Sequence, residues 1–154
     1  MSHTTEVRVV TNQSAPAAPV VPILVYPDVG RAIDWLCHAF GFRERLRAAG
    51  RDGVVSHAQL VAGGAGDIMI GRAGGPFSAP PPGHVHQYVL VTVDDVDRHF
   101  EHAKASGAEI IQPPEDMPFG ARHYTASDPD GHWWTFQQNI ADVHPSAWGA
   151  ILKS

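Results

Sequence analysis

Ten histidines and one cysteine are spread over 154 residues. Histidine is the side chain best suited to binding a metal or moving a proton near neutral pH. His57 and Gln59 lie two apart in an apolar, β-branched stretch, so a strand there presents both on one face. His84-Val85-His86 forms a second pair on an extended segment, and His86 shares the parity of Tyr88. His57, His86 and one further donor would make a divalent-metal site. Alternatively, His57 would act as a general base, aided by Tyr88 and Gln59. The other histidines read as bland. His99 and His102 fall on a helix surface, His38 adjoins Cys37 on another helix, and His123 stands beside Arg122 in a strand. His132 belongs to a turn, while His3 and His144 lie in the tails.

Other chemistries find less support. Cys37 lies on the apolar stripe of a helix, as a buried inert thiol does, and His38 points about 100° away from it. Gly63-Gly64-Ala65-Gly66 lacks the Gly-Lys-Ser/Thr of a phosphate loop and reads as a hairpin turn. Asp94-Asp95 and Glu115-Asp116 read as caps and solvated charges rather than an acid/base dyad. Arg43, Arg45 and Arg47 alternate and are expected to share one solvated strand face. A net charge of −5 argues against nucleic acid and anionic membranes as partners. A single cysteine rules out an internal disulfide framework and fits a reducing cytoplasm. No basic start with an apolar run and no long apolar window is present, so neither a signal peptide nor a membrane span is expected.

The elements that must position these residues come from a repeat. Val20 to Tyr26 reads as a buried strand, and Asp28 as the N-cap of a helix whose stripe is Val29, Ala32, Ile33, Leu36, Cys37 and Phe40, ended by Gly41. Gln87 to Val93 reads as the matching strand, Asp95 as the matching cap, with Val96, Phe100 and Ala103 on the stripe and Gly107 at the end. Three strand candidates follow each helix: 42–47, 54–61 and 67–71 in the first half, and 109–112, 122–127 and 132–138 in the second. Each half is therefore β-α-β-β-β, over residues 20–72 and 86–138. Residues 73–85, with Pro80-Pro81-Pro82, form a linker. Residues 1–19 are expected to be a flexible arm in which Val7 to Val10 could add an edge strand. Residues 139–154 are a tail whose Val143, Trp148, Ile151 and Leu152 suggest docking. Trp134 and Phe136 should pack under a helix, which turns Trp133, Thr135 and Gln137 the other way.

Val25-Tyr26-Pro27-Asp28-Val29-Gly30-Arg31-Ala32-Ile33-Asp34-Trp35, Phe40-Gly41-Phe42, Val91-Thr92-Val93-Asp94-Asp95-Val96-Asp97 and Asp128-Pro129-Asp130-Gly131-His132 together resemble the vicinal oxygen chelate superfamily. That group holds glyoxalase I, extradiol dioxygenases, and the bleomycin and fosfomycin resistance proteins. The resemblance implies paired βαβββ modules, frequent homodimers, and in the enzymes a divalent metal held by His, Glu or Gln. It places the first-strand ligands at Val21 and Tyr88 and the last-strand glutamate at Thr135, leaving His57 or Gln59 for the remaining position. A working metal site needs at least three protein ligands, so no cofactor is expected, a divalent metal remaining possible through His57 and His86.

The expectation is an α+β fold, two βαβββ modules forming curved mixed sheets around a central pocket, with helices outside. The expected function is small-molecule binding by a cytoplasmic homodimer. His57 and Tyr88 would carry any catalysis, and Gln59, His86, Trp133, Thr135 and Gln137 would contact the ligand. The alternative is a lyase, isomerase or dioxygenase acting on a small oxygenated substrate, with His57 as metal ligand or base.

Overall fold

Two aspartates start the two helices in the same way. Asp28 and Asp95 both have extended backbone, and each side chain accepts an amide three residues on, Arg31 N and Arg98 N, at 3.1 Å. Gly41 closes the first helix at φ 73°, where its N–H reaches the Cys37 carbonyl at 3.1 Å. The computed structural model describes residues 10–153. His3 and the Val7–Val9 part of the expected edge strand lie outside them.

The chain runs β1 (Ile23–Tyr26), α1 (Val29–Phe40), β2 (Arg43–Ala49), β3 (Val55–Ala62) and β4 (Gly66–Arg72). It repeats as β5 (Val89–Thr92), α2 (Val96–Ala105), β6 (Glu109–Asp116), β7 (Ala121–Ser127) and β8 (Trp133–Asn139). Each module is a four-stranded mixed sheet, in the orders β1-β4-β3-β2 and β5-β8-β7-β6. The first strand pairs parallel with the last, and the rest are antiparallel. The α+β architecture of two βαβββ modules is therefore as expected. Among the described residues, no helix is long and apolar enough to cross a membrane.

The differences from expectation have local causes. β1 and β5 are shorter than their apolar runs, and Pro22, which lacks an N–H, precedes β1. Tyr88 and His86 thus precede β5 rather than lying in it. β6 runs on through Pro113 and Pro114 to Asp116; as an edge strand it tolerates prolines that an inner strand would not. A bulge between Glu44 and Leu46 shifts the parity of β2. Arg47 therefore turns to the helix side, where it bonds Asp34 of α1 at 3.0 Å, and the expected three-arginine face keeps only Arg43 and Arg45.

The helix-bearing faces of both sheets close on one core. Phe40 at the end of α1 meets Trp134 and Phe136 of β8 at 5.9 and 4.8 Å between ring centroids, and Phe42 meets Trp134 at 5.2 Å. Trp134, Phe136 and Tyr124 are fully buried, each contributing roughly 2 kcal/mol or more of apolar burial. Two polar clasps cross between the modules. In the first, Tyr26 donates to Asp128 Oδ2 at 2.6 Å and His132 Nε2 donates to the Val25 carbonyl at 2.7 Å. His99, expected on the surface, is part of the second clasp. Its Nε2 donates to the Phe40 carbonyl at 2.8 Å, leaving Nδ1 to accept from the Tyr124 hydroxyl at 2.5 Å. That tautomer is the neutral imidazole, and burial pulls the His99 pKa down, with His102 adding to it. Cys37 is half-buried, not fully buried, and its thiol is pushed up chiefly by burial, then by Glu44 and Asp34.

Candidate functional site

Alternation along β8 decides which residues reach the second sheet's open face. Trp134 and Phe136 go to the core, so Trp133, Thr135 and Gln137 face outward. Register then brings β7 into place: Thr125 stands opposite Thr135 and His123 opposite Gln137. The two threonine hydroxyls bond at 2.8 Å, which satisfies Thr135 although it is only 3% exposed.

A groove of about 330 Å³ lies on this face. Tyr88, Leu90, Phe119 and Trp133 give it an apolar, aromatic lining, with His123, Gln112 and the threonine pair as its polar groups. Tyr88 is 61% and Leu90 49% exposed, and with Phe119 they place a run of apolar surface in water at the groove. A second cavity, of about 480 Å³, opens at the junction of β1, β5 and β8. Ile23 and Leu24 form one side of it, and His86, Tyr88 and Trp133 another. Tyr88 and Trp133 therefore wall both cavities. The tail borders the groove: Trp148, in a short 3-10 turn, packs edge-on against Phe119 at 5.6 Å, while Ile151 and Leu152 stay exposed.

The structure brings together Tyr88, His86 and Trp133 at the junction, and Tyr88, Trp133 and Thr135 in the groove. Gln137 lies one alternation beyond Thr135 and is not among the groove's lining residues. His57 and Gln59 are on β3 of the other module, where they do share a face. His57 is half-buried; Gln59 is 3% exposed, its Nε2 donating to the Ser14 carbonyl at 2.7 Å and its Oε1 accepting from Arg45. The cavity on that first face, lined by Arg43, Arg45 and residues 10–12 and 15–17, shares no residue with the groove. His123 was passed over from sequence as a strand residue. Counting the β7–β8 hairpin by twos from Thr135 would have found it.

The family resemblance assigns metal-ligand positions to Val21, Tyr88, Thr135 and either His57 or Gln59. Val21 has no ligating atom, Thr135 is bonded to Thr125, and the Gln59 carboxamide is bonded to Arg45 and Ser14. Among the described residues, no three His, Cys, Asp or Glu side chains gather closely enough to hold a metal ion.

Comparison with known proteins agrees with this architecture. Residues 17–136 match the model of the Glyoxalase/Bleomycin resistance protein/Dioxygenase superfamily. An uncharacterised protein of Mycobacterium bovis is 33% identical over 138 residues, spanning 86% of this chain and 91% of that protein. The crystal structure of TioX from Micromonospora sp. ML1 is 41% identical and superposes with a TM-score of 0.65, covering 82% of this chain and 100% of that one. A fosfomycin resistance protein, FosX from Listeria monocytogenes, is 17% identical with a TM-score of 0.60 over 80% of this chain and 94% of its own, a likeness of fold alone. With the matched span taking in the first βαβββ module and the second as far as Phe136 of β8, this chain belongs to the glyoxalase/bleomycin resistance protein/dioxygenase superfamily.

Proposed function

We propose that this chain is a small-molecule-binding protein of the glyoxalase/bleomycin-resistance type that works without the family's metal site. A planar or polar organic ligand would lie against Trp133 and Tyr88. The observation that carries this reading is the aromatic wall those two residues share between groove and junction cavity. Aromatic faces stack on flat ligands with little ordering cost, and His123, Gln112 and Thr135 supply a few polar contacts to fix orientation. Binding without metal is supported by the donor set, in which Gln59 and Thr135 already have protein partners.

The exposed Tyr88 and Leu90 further support a homodimer, which would cover apolar surface that a monomer leaves in water. Setting the first module's open face of one chain toward the groove of another would add His57 to the ligand's surroundings. The lone, protonated Cys37 fits a cytoplasmic protein. The alternative, a lyase, isomerase or dioxygenase using His57 as ligand or base, has less support, because His57 shares no cavity with the groove in one chain.

The test is native purification, elemental analysis, and titration with the planar probe 8-anilinonaphthalene-1-sulfonate. The expected result is substoichiometric metal and probe binding that Trp133→Ala weakens. One tightly held Zn, Ni, Mn or Fe per chain would overturn the metal-free reading. Unchanged probe affinity in Trp133→Ala would overturn the groove.

A further inference from the structure

The open face of the first module is occupied by the chain itself. Residues 12–18 run along it, and three side chains from three strands hold their backbone. Arg45 of β2 donates through Nη2 to the Gln13 carbonyl at 2.6 Å. Gln59 of β3 donates through Nε2 to the Ser14 carbonyl at 2.7 Å. Asp67 of β4 accepts from the Ala18 amide at 2.9 Å. Arg45 also donates to Gln59 Oε1, which orients the carboxamide so that its NH₂ group meets the strap.

These contacts read peptide C=O and N–H groups, not strap side chains. Gln59 is 3% exposed beneath the strap, so while the strap is seated its Nε2 depends on the Ser14 carbonyl as partner. The strap contributes small residues, Ala15, Ala17 and Ala18, and it is turned rather than extended: the Ala15 amide donates to the Asn12 carbonyl at 3.1 Å and the Ser14 amide to Asn12 Oδ1 at 3.0 Å. It does not fill the face: a cavity of about 650 Å³ remains between it and Arg43, Arg45, Val61 and Asp67.

We propose that this face is a binding site for a turned, uncharged peptide backbone, with residues 12–18 as its tethered occupant. Donors from Arg45 and Gln59 take two carbonyls, and the Asp67 carboxylate takes one amide. A tether this short holds the strap at an effective concentration in the millimolar range, so a free peptide competes only when the strap loosens. Release uncovers Arg45, Gln59 and Asp67 together, and it is the step that would make Gln59 available to any ligand. The inference does not rest on the proposed function, which concerns the other module's groove.

Hydrogen exchange of the full chain tests the tether. The Ala18 amide is expected to be protected relative to a free peptide of the same sequence. Asp67→Ala and Arg45→Ala should speed its exchange about tenfold, the scale of one lost charge-assisted hydrogen bond, with α1 amides unchanged as the folding control. A fluorescein-labelled peptide spanning residues 10–19 tests the site, against wild type and against full-length Ala18→Pro, which removes the strap's donor without touching the sheet. Binding at least about fivefold tighter to Ala18→Pro is expected, because the competitor is weakened. Free-peptide exchange at Ala18 in wild type would overturn the tethered strap. No binding of the labelled peptide to Ala18→Pro up to about 1 mM would overturn the peptide site.

Discussion

The two open sheet faces grow from one repeated plan and end with opposite chemistry. The first carries Arg43, Arg45, Gln59 and Asp67 and lies under residues 12–18 of its own chain. The second carries Tyr88, Leu90, Phe119 and Trp133 and stands in water. Beneath their helices the modules are alike, both apolar and both contributing to one core. Core packing constrains inward positions in both halves, because a misplaced side chain there costs a cavity or a clash. Outward positions carry no such constraint, and the halves have diverged there into a polar face that reads backbone and an aromatic face suited to a flat ligand.

The largest loss of stability is expected at Asp128, where the second module's last turn holds the first. Its carboxylate accepts from Tyr26, Trp134 Nε1 and the amides of Asp130 and His132. Asp128→Ala should cost roughly 3–5 kcal/mol in urea denaturation, since it strands several buried donors. Tyr26→Phe, which removes one donor only, should cost about a third of that. The first module's last turn touches the second at Gly63, where φ is +61° and an added Cβ would lie 2.7 Å from the Thr92 carbonyl. Gly63→Ala should destabilise by roughly 2 kcal/mol by the same measurement, from strain and overpacking together.

At the faces, the effects should be on binding. Trp133→Ala is expected to weaken 8-anilinonaphthalene-1-sulfonate binding about tenfold, the worth of one stacked aromatic, with a denaturation midpoint close to wild type. Arg45→Ala should leave that affinity unchanged, because Arg45 lies on the other face; a parallel loss would mean that the two faces form one site. The smallest effect is at the clasp made by His99. Its folded pKa lies below the ordinary histidine value, so the unfolded chain takes up the proton first as pH falls. Stability is therefore full above about pH 6.5 and declines as pH drops below it, and His99→Gln should flatten that decline in urea midpoints measured from pH 8 to 5.

Much of this was legible in the sequence. The helices could be read because caps and stripes are local: Asp28, Gly41 and Asp95 act on amides within a turn of themselves. Trp133 and Thr135 could be assigned to an outward face by alternation alone. Arg47 could not, because one bulge in β2 reverses every parity beyond it. His99 could not, because its acceptor on Phe40 is 59 residues away and its apolar neighbours come from β8. The separation of His57 and Gln59 from Trp133 and Thr135 was likewise hidden, since strand parity says which face a residue takes but not what that face meets.

By itself, then, the sequence determined the repeat, the two modules, the helix termini and the inward or outward sense of most strand residues. These follow from short-range hydrogen bonding and from the 2.0 and 3.6 residue periods of strand and helix. Which outward residues share a cavity, which histidine is buried, and which face residues 12–18 cover were set by long-range packing. Those outcomes depend on how two sheets pack through a common core and on bonds between distant backbone and side-chain groups, and no local pattern encodes either.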